Sequence, residues 1–255
     1  MASMAWSSSS PNGCGPVRAV HREDRRQDPP PAHAAAPPLL PNSEPELAEY
    51  RPELIRRLDK LPRSTFHSLP ELVGRHRDPA DPFTFAGFDF VHAPGGHAPM
   101  VDFRDDPWLG ETLHLARENG VTISLIRHAP IAVTSTRQRV DAQGAAYSVQ
   151  DNPFLAATIS TVPKIGERFA LRFLYPRVPG KRTRLPYFVD VAIKEAGFTV
   201  ASSLDISAPQ LAYEPSVRLL TGNGPQAIDR QTAELRSILT DAPAARYAGG
   251  KELSK

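Results

Sequence analysis

Val121-Thr-Ile-Ser-Leu-Ile-Arg-His-Ala-Pro130 is the stretch that decides how this chain folds. Residues 121–126 form a β-branched, mainly apolar run of the length that a strand buried on both faces needs, and residues 129–136 can continue as a helix. Arg127-His128 stands between them. A tight strand-to-helix turn lifts its central residue to the carboxyl edge of a parallel sheet, where the free N–H groups of the next helix face whatever binds there. Upstream, Ala93-Pro-Gly-Gly-His-Ala-Pro-Met100 gives a second turn that the same sheet edge can carry.

Outward from this centre the pattern alternates strand and helix. Residues 88–93 read as the strand that delivers the Gly-Gly-His turn. Asp106 caps and Pro107 starts a helix whose Leu109, Leu113 and Ala116 face inward, and Gly120 ends it. Beyond the elbow, residues 137–151 read as a loop and residues 155–162 as a strand. Leu185, Phe188, Val189, Ala192 and Ile193 fall at helical spacing, closed by Gly197. Residues 198–201 make a strand, residues 211–213 and 218–221 a hairpin, and residues 226–239 the last helix. The alternation predicts an α/β protein of flavodoxin-like kind: a parallel sheet with helices on both faces.

The flanks are different in character. Residues 1–41 hold Ser7 to Ser10, the charged run 21–26 and the prolines at 29–31 and 37–38, and read as a disordered tail. Residues 42–240 form the expected domain and residues 241–255 a second tail. Within the domain, residues 43–59 make an amphipathic helix with Ser43 and Glu46 spaced as a capping box, and Ser68 opens another. The 255 residues are 40% hydrophobic, enough for a core, and the formal net charge of +2 points to neither nucleic acid nor membrane. The single cysteine forbids an intramolecular disulfide framework. With no apolar stretch of signal-peptide or membrane-span length, a cytoplasmic location is the expectation.

Pro94-Gly95-Gly96-His97, a helix opened by Asp and Pro, and a strand ending Ser124-Leu125-Ile126-x-His128-x-Pro130 resemble the ThiJ/PfpI family of the class I glutamine-amidotransferase-like fold. The likeness is nearest to its branch of bacterial stress chaperones with glyoxalase III and protein deglycase activity. It spans roughly residues 85–240 and continues with Asn152-Pro153, the helix ending Lys194-Glu195-Ala196-Gly197-Phe198, and residues 219–227. The resemblance implies a nucleophilic cysteine immediately before His128 and an acidic residue after Pro163. This chain has Arg127 and Lys164 there. A guanidinium is permanently protonated and cannot attack a carbonyl as a thiolate does. The reading is therefore a family member with a degenerate triad of Arg127, His128 and Lys164, acting as a binding or holdase-like module. The alternative is a glutathione-independent glyoxalase III-type lyase, or a hydrolase, working on methylglyoxal or another small anionic carbonyl compound through His128 and Arg127.

Other expectations follow from the same residues. Gly95 and Gly96 are turn residues whose N–H groups can serve as an oxyanion hole. The resemblance places a zinc ligand at His97, with Glu44 and Glu46 where further ligands would fall, but three protein ligands are the usual minimum, so no cofactor is expected. Arg127, His128 and Lys164 are candidates for a small anion-binding cluster. Seven cations between Lys164 and Arg184, opposed only by Glu167, read as the solvated face of an amphipathic element. The expected partners are a small carbonyl compound or unfolded protein. The family's opening strand-helix-strand has no counterpart here, which leaves residues 88–91 as an exposed sheet edge; the expectation is an N-terminus that is truncated or rearranged, or a sheet completed by a partner, with a homodimer as the assembly.

Overall fold

A computed structural model describes residues 3–5, 56, 67–173, 185–201, 205 and 207–241. The helix expected over 43–59 (apart from Arg56), Cys14, Glu44, Glu46, the basic residues 177–184 and most of both tails lie outside the described residues.

The central strand, β3 (Thr122–Ile126), is buried at every position, as its apolar run requires. It pairs in parallel with β2 (Phe90–Ala93) on one side and with β9 (Leu219–Gly222) on the other. The antiparallel strand β8 (Leu211–Glu214) closes the far edge as the expected hairpin partner of β9. At the near edge β1 (Ser3–Ala5) runs parallel to β2, with Met4 opposite Val91. The sheet order is β1-β2-β3-β9-β8. Within a stretch read as tail, Ser3–Ala5 thus occupies the edge expected to be open.

Helix α1 (Leu69–Arg77) is capped by the Ser68 side chain and buries Leu69, Leu72 and Val73. After the short α2 (Pro99–Asp102), helix α3 (Pro107–Glu118) starts where Asp106 accepts from the Leu109 amide and Pro107 fills the first turn. Leu109, Leu113 and Ala116 are buried, and Gly120 turns the chain at φ 67°. Leu109, Leu113, Ile123, Leu125 and Ile131 meet in a single core cluster.

Three expectations change. Residues 129–137 form a 3-10 helix rather than an α-helix. Thr134 and Thr136 donate their hydroxyls back to the carbonyls three residues earlier, which favours the tighter winding. The expected loop after it contains a hairpin, β4 (Gln138–Val140) and β5 (Ala146–Ser148), whose turn is held by Asp141 accepting from the Gln143 and Ala145 amides. The strand expected over 155–162 shrinks to β6 (Thr158–Ile159), because Asn152 and Pro153 start a 3-10 turn in front of it. β6 pairs with β7 (Thr199–Val200) in a separate two-stranded sheet. Helix α4 (Lys164–Phe173), helix α5 (Val189–Glu195) and the C-terminal α6 (Ile228–Asp241) complete the layers.

Candidate functional site

The elbow forms where the sequence places it. Arg127 adopts φ 64°, the left-handed region that costs a side-chain-bearing residue about 1–2 kcal/mol. Hydrogen bonds hold it there. Its amide donates to the Gly222 carbonyl at 2.8 Å, and its own carbonyl accepts from the Thr161 hydroxyl at 2.7 Å. The end of β9 and the segment that follows β6 thus over-determine one strained residue at the end of β3, the arrangement that marks functional turns.

Gly95 has a packing reason. A Cβ there would lie 2.7 Å from the Arg127 Cβ and 3.1 Å from its Cδ, so the arginine stem lies directly over the glycine backbone. Gly96, at φ 130°, supplies the left-handed corner that carries His97 back toward the elbow. The His97 and His128 rings lie with centroids 5.0 Å apart, tilted by 33°.

His128 is completely buried. Burial chiefly, then the neighbouring Arg127 charge and His97, hold its pKa well below the ordinary histidine value, with the Gly96 backbone working the other way. Its Nε2 stands 3.2 Å from Oε1 of Glu167 on α4, itself fully buried, although the pair lacks the alignment of a full hydrogen bond. Burial pushes the Glu167 carboxyl up to about 8, and Asp190 adds to the rise. The distance is that of an ion pair, but both partners are neutral at pH 7, because the dry interior penalises either charge more than their attraction repays. His97 is likewise neutral, held at about 4 by burial and by Arg127. The lasting charge of the elbow is therefore the Arg127 guanidinium, and among the described residues it makes no ion pair.

Glu167 is the residue that the sequence pattern overlooked. It lies one helical turn beyond Lys164, where the resemblance implies an acid, and brings a carboxyl to the histidine from that later position. It also ties two helix starts together. Glu167 Oε2 accepts from the Val189 amide at the start of α5, while Asp190 accepts from the Lys164 amide at the start of α4. Lys164 itself lies over the Phe188 ring, its Nζ 5.2 Å from the centroid. That cation–π contact gives the ammonium a place on Phe188 rather than in the expected cluster with Arg127 and His128.

Among the described residues, no three His, Cys, Asp or Glu side chains are arranged to hold a metal ion. No described helix is long and apolar enough to cross a membrane.

No family model matches the chain, and no curated protein sequence matches it. Some solved structures are similar to part of it. The Rapid Encystment Protein 24 KDa of Francisella tularensis is 16% identical over 62% of this chain and 61% of its own length, with a TM-score of 0.47. Glyoxalase III of Candida albicans is 14% identical over 61% of this chain and 59% of its own, with a TM-score of 0.42. The chain thus matches about three fifths of either protein.

Proposed function

We propose that this chain is a catalytically degenerate relative of the ThiJ/PfpI proteins that binds a small anionic carbonyl compound at its elbow without turning it over. The observation that carries the reading is the elbow residue: a guanidinium on strained left-handed backbone, where the resembling family has a thiol. Around it the histidine is neutral and shielded from solvent and the carboxyl is protonated, so nothing nucleophilic faces a substrate. A forked, permanently charged donor beside apolar surface is suited to hold a carboxylate through two parallel hydrogen bonds.

Methylglyoxal consumption without glutathione tests this reading, with the parent beside Arg127→Cys and His128→Ala. No turnover by the parent is expected, together with binding of glyoxylate that Arg127→Gln weakens at least tenfold. Turnover by the parent that His128→Ala abolishes would overturn the reading and require a cysteine-free mechanism based on His128.

A holdase-like role has its own support. Ile165 and Phe169 lie one turn apart on α4 and are 59% and 57% exposed. Such a stripe is the kind of surface that captures unfolded chains. Suppression of citrate synthase aggregation that Phe169→Ser abolishes would favour it.

A further inference from the structure

Between helix α6 and strands β2 and β3 lies a cleft of about 500 Å³, within the size range of small-molecule sites. Its lining includes Arg127 but not His97, His128 or Glu167. Phe90 and Ile126 form the sheet wall, and Ile228 and Leu235, two turns apart on α6, form the helix wall.

The polar atoms of its floor are organised. His92 and Ser124 are cross-strand neighbours, with His92 Nδ1 3.1 Å from Ser124 Oγ. Gln231 Nε2 donates both to that hydroxyl at 2.9 Å and to the Leu125 carbonyl at 3.1 Å. Burial keeps His92 below the ordinary histidine value, so the floor is uncharged at neutral pH. Among the residues that line the cleft, Arg127 is the one with a formal charge, and no acid accompanies it. A lone guanidinium at the end of an apolar trough calls for a ligand with one negative group and a hydrocarbon body. A phosphate dianion would bring two charges to one cation and match it less well.

We propose that this cleft binds a small amphipathic monocarboxylate, its carboxylate on Arg127 and its aliphatic or aromatic body between α6 and the β2–β3 face. This rests on the reading of Arg127 as an anion-holding residue and adds the class of ligand.

Isothermal titration calorimetry with octanoate, 1-octanol and glyoxylate tests it on the parent, Arg127→Gln, Arg127→Lys and Leu235→Trp, with thermal melts confirming that each variant folds. Octanoate is expected to bind the parent at least tenfold more tightly than either octanol or glyoxylate. Arg127→Gln should lose tenfold or more of the octanoate affinity and Arg127→Lys less. Leu235→Trp should fill the trough, removing octanoate binding while glyoxylate binding persists. The octanoate–octanol comparison needs no variant, so a misfolded mutant leaves the proposal falsifiable. Glyoxylate bound through Arg127 without an octanoate advantage would overturn the amphipathic ligand and keep the anion reading. Octanoate binding indifferent to Arg127→Gln would overturn the cleft proposal while the glyoxylate result decides the anion reading, and binding of neither anion would overturn both.

Discussion

Glu167 is a carboxyl with no water to ionise into, and that makes it a reporter on the site. In the unfolded chain it titrates near 4.5 and in the folded chain near 8, so between those values the native state carries one more proton. Its contribution to stability is complete below pH 4.5 and is lost as pH rises toward 8, by at most roughly 1.4 kcal/mol per pH unit. His97 and His128 act in the opposite sense. Their folded values lie below 6.5, so what they contribute is present above pH 6.5 and lost as pH falls, for His97 toward 4. Between pH 6.5 and 8 Glu167 is the group of these three that titrates. Urea unfolding across that window should show the parent losing stability and Glu167→Gln holding level. Equal slopes in the two proteins would mean that Glu167 is ionised in the fold. At this scale the sequence shows which residue types occupy the elbow and leaves their protonation open, because the desolvation that sets it comes from residues distant in the chain.

At the scale of elements, helix α3 and the 3-10 helix after the elbow come within backbone contact of each other. A Cβ at Gly110 would lie 2.1 Å from the Ser135 carbonyl oxygen and 2.2 Å from that of Gln138. Backbone atoms cannot swing aside as a side chain does, so Gly110→Ala must push α3 off the segment that supports His128. A loss of about 3 kcal/mol is expected from denaturant midpoints, toward the upper end for overpacked cores. The contact is locked by Glu111, which accepts from Arg139 on β4 at 2.8 Å and from Arg77 on α1 at 2.9 Å. Helix α3 and the β8–β9 hairpin were legible because capping, apolar spacing and turn residues act within a few positions. The β4–β5 hairpin was not, since its strands are three residues each and only Val140 is buried. Alternation that short carries too little signal.

Across the whole molecule, the edge of β2 decides how the sheet ends. Ser3–Ala5 supplies three ladder positions there, against Phe90, Val91 and His92. An uncovered parallel edge beside an apolar strand is a template for another chain. Removing residues 1–5 should therefore shift sedimentation velocity profiles toward larger species as concentration rises, relative to the full chain. Unchanged profiles would mean that this edge needs no cover.

The sequence by itself determined the elbow, the Gly-Gly-His turn, the buried central strand and the replacement of a thiol by a guanidinium, since each is written in consecutive residues. Only the tertiary structure decided that Glu167 meets His128, that Lys164 rests on Phe188 and that Arg127 heads a cleft under α6. Those are meetings between segments far apart in the chain, fixed by how helices pack on the sheet. No local pattern encodes them.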